Sequence, residues 1–382
     1  MTALQPAIGT SVRLDCQALG ALIAALSRRG YQVIGPTVQE SAIIYGPIEG
    51  IDDLPIGWTA EQSPGSYRLQ RREDAAIFGY ASGPKSLKNF LHPAEIKLFE
   101  AQKENGAFRI LSNADPAPKY AFLGVRACEL AAMNVQDRVL MEDRFQDPVY
   151  AARRGNSIVI AVQCSDPAST CFCTSTGTGP RARYYFDLAL TEILDAGRHE
   201  FVAEVGTDLG AELLAEVDFS DASGDLLEKS REITERTEQR ITRRFETAGL
   251  KDLLRDSFNH PHWDEMASRC LACGNCTLVC PTCFCVTVED TSDVTGDHAE
   301  RWRKWDSCFS IGFSYIHGGS LRVSTKSRYR QWLTHKLSYW HDQFGASGCV
   351  GCGRCIAWCP VGIDFTQEIA GFESREVQND RH

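Results

Sequence analysis

The chain has 382 residues, which at roughly 150 residues per domain argues for two domains or three. Hydrophobic residues at 43% and charged residues at 24% are ordinary globular values, so a disordered or collagen-like chain is excluded. A formal net charge of −10 argues against indiscriminate binding to nucleic acid or anionic lipid, and no apolar run approaches the roughly 18 residues of a membrane span.

Residues 14–29 have the apolar spacing of a helix, and 31–34 and 42–44 read as short strands. Residues 46–68, rich in Gly, Pro and Asp, read as loop; 77–80 reads as a strand and 93–103 as a helix with proline in its first turn. A strand over 120–125, a helix over 128–140 and a strand over 158–162 follow, then a Cys/Gly/Pro-rich loop to 180 and a strand over 201–205. This alternation predicts an α/β domain over residues 1–250. Residues 226–245, charged and without Gly or Pro, read as a solvated helix leading out of it. Residues 251–382 read as a mainly helical second domain, so the fold class is α+β. No G-x-G-x-x-G follows a strand, and there is no Walker loop or zinc-hydrolase motif. His92, His317 and His341 have no evident partners and read as core or surface residues. The sequence offers a place for electrons and none for substrate chemistry.

The abnormal figure is 16 cysteines. The N-terminal Met1-Thr-Ala-Leu-Gln-Pro has no basic patch followed by an apolar segment, so a cytoplasmic location is expected. In a reducing compartment that many thiols point to metal rather than disulfides. Cys270, Cys273, Cys276 and Cys280, followed by Pro281, form one C-x2-C-x2-C-x3-C-P run; Cys349, Cys352, Cys355 and Cys359, followed by Pro360, form a second, with an insert over 281–348 between them. Three thiolates two residues apart can hold three irons of a cubane, while the fourth, starting a helix, reaches a neighbouring cluster. The spacing therefore assigns Cys270, Cys273, Cys276 and Cys359 to one [4Fe–4S] cluster, and Cys349, Cys352, Cys355 and Cys280 to another. Structural zinc prefers two separated cysteine pairs and fits this spacing poorly. Gly274 and Gly353 let each loop approach its cluster.

Cys164, Cys171 and Cys173 lie together after a strand, and Cys128 lies at another strand-to-helix junction, where α/β domains build sites. These four are expected to hold a third cluster; Cys283, Cys285 and Cys308 are the alternative source of its ligands. Cys16 reads as a small buried hydrophobe. In the insert, the tryptophans and tyrosines between Trp302 and Trp340 read as core. Arg322, Lys326, Arg328, Arg330 and Lys336 read as a solvated face or as a docking surface for an acidic partner.

Taken as an ordered set, several segments resemble one family. They are Leu-Gly-Val-Arg-Ala-Cys128-Glu-Leu, Cys164 with Cys171-Phe-Cys173, Cys270 through Cys285, Trp305-Asp-Ser-Cys308 and Cys349 through Pro360. The family is the β subunits of cytosolic sulfhydrogenases, the NAD(P)-linked [NiFe] hydrogenases, with the electron-transfer subunit of anaerobic sulfite reductase as a relative. The resemblance covers nearly the whole chain. It implies an iron–sulfur relay in a heteromeric complex, with nickel on a hydrogenase-type catalytic subunit, and flavin and NAD(P) on a neighbouring one. A relay serving sulfite reduction is the runner-up. A cluster-based redox sensor is the distant alternative, since no helix-turn-helix or basic arm is present.

Overall fold

The computed structural model describes residues 5–112, 116–142, 144–195 and 197–379. Its largest unit is an eight-stranded mixed sheet. The spatial order is Ser220–Asp221, Ser11–Asp15, Arg198–Val205, Leu188–Asp195, Ser157–Val162, Tyr120–Val125, Gln32–Gln39 and Ala42–Pro47. The four strands from Leu188–Asp195 to Gln32–Gln39 run parallel, and the flanks are antiparallel. Tyr120–Val125 is buried at every position and Ser157–Val162 at all but its first, as a parallel centre covered on both faces requires. Helix Cys16–Arg28, N-capped by Asp15 accepting from the Ala18 N–H at 2.8 Å, packs Leu19, Leu22, Ile23 and Leu26 on one face. Helix Ala127–Leu140 packs Leu130 and Met133 against Phe122 and Val159 on the other.

Leu123 stands beside Ile160 in the parallel pair, so the Tyr120–Val125 and Ser157–Val162 strands end at one edge of the sheet. Cys128 and Cys164, which follow those ends, leave from that edge.

Three predicted elements differ. Residues 46–68 are not all loop: Trp58–Ser63 and Ser66–Arg71 form a hairpin around Pro64-Gly65. Residues 77–80 are irregular and buried. Side chains replace a ladder there, since the Glu192 carboxylate accepts from the Ile77 and Phe78 N–H groups and the Arg126 guanidinium donates to the Phe78 and Tyr80 carbonyls. Residues 93–103 are strand rather than helix. Glu95–Glu104 pairs with Ala107–Ser112 across Asn105-Gly106, both at positive φ, the hairpin turn that Asn-Gly favours.

After residue 250 the chain is helical around the two cysteine runs. His262–Arg269, Thr325–Thr334 and Phe365–Asn379 contribute to an aromatic core that includes Trp263, Phe309, Tyr329, Trp332 and Phe365. The insert also holds strands Val286–Ser292 and His298–Trp305. Together with the 95–112 hairpin they form a four-stranded sheet, so residues on both sides of position 250 share one hydrogen-bonded layer. Among the described residues no helix is long and apolar enough to cross a membrane.

Candidate metal centres

The two runs fold alike. Gly274 and Gly353 adopt left-handed φ of 75°, and each opens a four-residue helix, Asn275–Leu278 or Arg354–Ala357, that carries the third cysteine. The fourth cysteine does not start a helix, as the spacing suggested; it follows the end of one, and Pro281 or Pro360 comes next. Cys270, Cys273, Cys276 and Cys359 line one cavity, walled by Phe309, Tyr329, Trp332 and Phe365. The last cysteine of the second run is thus brought to the first three of the other. Reciprocally, Cys280 stands among Cys349, Cys352 and Cys355: the negative charge at Cys280 adds to burial in pushing all three thiols up. Two sulfurs already accept backbone N–H groups, Cys270 from Ala272 at 3.4 Å and Cys359 from Ile363 at 3.3 Å. Such bonds favour the anionic sulfur and tune a cluster's potential.

Cys128, Cys164, Cys171 and Cys173 line a second cavity at the carboxyl edge of the parallel strands, and Cys352 of the second run lines it too. The loop carrying these thiols is tied to that run: the Phe172 N–H donates to the Gly351 carbonyl at 2.9 Å and the Thr178 hydroxyl to Val350 at 2.7 Å. Cys283, Cys285 and Cys308 are elsewhere: Cys283 bonds Cys280, and Cys285 and Cys308 bond each other. Cys16 packs against the sheet core, its thiol 3.7 Å from the His199 carbonyl.

Burial pushes the Cys171 and Cys349 thiols up to about 12, and Cys128, Cys276 and Cys355 well above the ordinary range. As free groups these would stay protonated and inert; iron or zinc reverses that by supplying the positive charge a thiolate needs. Two observations separate the metals. With Zn–S bonds of about 2.3 Å, tetrahedral zinc sets its sulfurs about 3.8 Å apart. Among the described residues no three thiols come within 4.8 Å of one another; the one such group is Glu100, His298 and Glu300, where the Lys97 ammonium already binds both carboxylates. In addition, the Tyr329 hydroxyl and Trp332 indole N–H are buried without a partner in the wall of the first cavity, and the Arg126 Nε in that of the second. Donors left unpaired beside thiols fit a group that brings further acceptors, as the sulfides of an iron–sulfur cluster do.

Buried cations complete the setting, and sequence reasoning missed them. Arg354, fully buried, pairs with buried Glu129 and donates to the Gly83 carbonyl at 2.6 Å beside Cys352 and Cys128. The bond from Cys283, with Lys336 Nζ donating to Cys280 Sγ at 3.1 Å, holds the Cys280 thiol well below the usual range. The basic stretch of the insert is therefore only in part an open face, with Arg322, Lys326 and Arg330 half-buried. Lys336 and Arg328 are buried, Lys326 pairs with Asp264 at 2.8 Å and Arg330 bonds the Phe258 carbonyl at 2.8 Å.

Residues 269–363 match the family model of the 4Fe-4S dicluster domain. The chain is 31% identical over 341 residues to sulfhydrogenase 2 subunit beta of Pyrococcus furiosus, covering 88% of this chain and 91% of that protein. No solved structure matches. The cysteine runs, the cavities they line and this near full-length similarity agree: the chain belongs to the sulfhydrogenase beta-subunit family and is an iron–sulfur electron-transfer protein carrying [4Fe–4S] clusters.

Proposed function

We propose that the chain relays electrons between the [NiFe] hydrogenase-type catalytic subunit of a cytoplasmic complex and its flavin/NAD(P)-binding subunit. Its three centres in this reading are held by Cys270, Cys273, Cys276 and Cys359; by Cys349, Cys352, Cys355 and Cys280; and by Cys128, Cys164, Cys171 and Cys173. Residues 1–250 hold the third and residues 251–382 the first two. The observation that carries the reading is adjacency. Cys352 lines the cavity of the third set while Cys355, one turn on, lines that of the first. The second set is thereby the middle station of a continuous path.

Bound clusters supply one-electron transfer, and the protein supplies everything that makes it directed. Arg354 and Lys336 offset the negative charge of thiolates kept from water, the aromatic wall excludes solvent from the first site, and the Ala272 and Ile363 N–H groups bond its sulfurs. The first site is also the one that meets solvent, through exposed Cys273 and Leu271. Isolation of the native complex tests the reading: nickel and flavin are expected to co-purify with the chain. Siroheme in place of nickel transfers the relay to sulfite reduction, and the absence of any redox partner overturns it.

A further inference from the structure

The cavity of Cys128, Cys164, Cys171 and Cys173 has Arg126 in its wall, between the end of strand Tyr120–Val125 and the start of helix Ala127–Leu140. The residue is 2% exposed. Its guanidinium donates to the Gln163 carbonyl at 3.0 Å, to the Tyr80 carbonyl at 2.8 Å and to the Phe78 carbonyl, while Nε is buried without a partner. The Tyr80 ring centroid lies 4.9 Å from its Cζ. These bonds fix the group beside the two strand ends from which Cys128 and Cys164 leave, since Gln163 directly precedes Cys164.

Among the described residues Arg126 has no carboxylate partner. Asp166, the carboxylate in the same wall, is bound by Arg72 at 3.0 Å and by Arg240 at 2.6 Å. Buried Glu129 is taken by Arg354, which makes that pair neutral as a unit. Arg126 differs from Arg354 in this respect. A guanidinium keeps its proton, so Arg126 leaves a whole positive charge in a wall withdrawn from water. Helix Ala127–Leu140 adds to it: its N-terminus carries partial positive charge, and its first residues, Ala127 and Cys128, line the same cavity. Three carbonyls soften this charge without cancelling it.

We propose, resting on the relay reading of the third centre, that Arg126 tunes that centre: its fixed charge raises the reduction potential of the cluster held by Cys128, Cys164, Cys171 and Cys173 and favours residence of the electron there. A cluster gains one negative charge on reduction, so a neighbouring cation stabilises the reduced form more than the oxidised one, most of all where no water screens it. The unpartnered Nε–H adds a donor of the kind that bonds cluster sulfurs. The rival is a merely structural role, because the same guanidinium ties residues 78, 80 and 163 together.

The test compares Arg126→Met and Arg126→Lys with the unmodified full-length chain, all purified without oxygen. The unmodified chain should hold about 12 irons, with Cys128, Cys164, Cys171 and Cys173 protected from alkylation. In a redox titration followed by EPR, the methionine variant should keep its iron. Its third centre should show a reduced-to-oxidised ratio about tenfold lower at a given potential, a downward shift of about 60 mV, with the other two centres little moved. Lysine keeps the charge and loses the fork, so it should restore most of that ratio. A methionine variant with full iron and an unmoved third potential overturns the inference and leaves the relay standing, as does a lysine variant shifted as far as methionine. If the methionine variant loses iron, the lysine variant decides. A near-native potential supports the inference; a tenfold shift or the same loss of iron overturns it, because the charge was kept. About eight irons in the unmodified chain, with the four thiols alkylated, removes the third centre itself and the inference with it.

Discussion

The two cysteine runs share spacing, a glycine at the same left-handed φ and a helix of the same length, yet they occupy opposite surroundings. The first is peripheral: Cys273 is exposed, Leu271 is 64% exposed, and aromatic rings form its inner wall. The second is more enclosed. None of its cysteines is exposed, Arg354 beside it is fully buried, and its loop lies against residues 170–173 of the sheet domain. Spacing dictates how a short loop can wrap a cluster; the remainder of the fold dictates how deep that cluster lies and which charges it meets. One local code thus serves two stations of different accessibility.

The sharpest way to break this comparison is to exchange the fourth ligands. Cys280→Ser should remove the cluster of the second run and Cys359→Ser that of the first, each at a cost of up to about four irons. EPR of the reduced variants checks it, and loss confined to the mutated run's own cluster would refute the crossing. The glycines come next. A Cβ on Gly353 would lie 2.3 Å from the Thr170 backbone carbonyl, whereas one on Gly274 would meet side chains alone, Ser307 nearest at 2.9 Å. Both alanine variants pay left-handed strain of about 1–2 kcal/mol. Gly353→Ala should cost roughly 2 kcal/mol more than Gly274→Ala, because backbone cannot rotate away; unfolding midpoints compare them. A smaller effect is expected from Lys336→Met, which removes the ammonium from Cys280. The cation favours the reduced, more negative cluster, so its loss should lower the second-run potential by roughly 60 mV, a tenfold change in a one-electron equilibrium, with the first-run potential little moved in a redox titration. Smallest of all, Cys16→Ala should lose no iron and cost at most about 1 kcal/mol, since its thiol touches only the sheet core and one carbonyl.

Much of this arrangement was legible in the sequence. The repeated spacing marked eight cysteines, and Cys128 with Cys164, Cys171 and Cys173 was marked by strand ends; the structure brings each of those three sets together. What was not legible depends on partners distant in sequence. Residues 93–103 carry enough charge and proline to imitate a helix start, and only the Asn105-Gly106 turn signals otherwise. Residues 77–80 look like a strand because they are apolar, yet they take their hydrogen bonds from Glu192 and Arg126. The burial of Lys336 and Arg328 could not be told from a solvated basic helix, because that depends on which face of Thr325–Thr334, and of the turn His335–Tyr339 that continues it, meets the cysteine runs. The convergence of Cys308 with Cys285 requires a strand register that no local pattern states.

The bond from Phe172 to Gly351 spans nearly half the chain, and Cys276 and the crossed ligand Cys359, which line one cavity, are also far beyond any local turn. Contacts of such long sequence separation form late, after the entropy of closing large loops has been overcome. During synthesis the sheet domain therefore emerges with its loop unsupported and its thiols uncovered, and neither ligand set of the two runs is whole until the second run emerges, since one needs Cys355 and the other Cys359. Iron has to arrive after both runs have emerged, and the interval before it does is when the protein is most exposed to oxidation and misassembly.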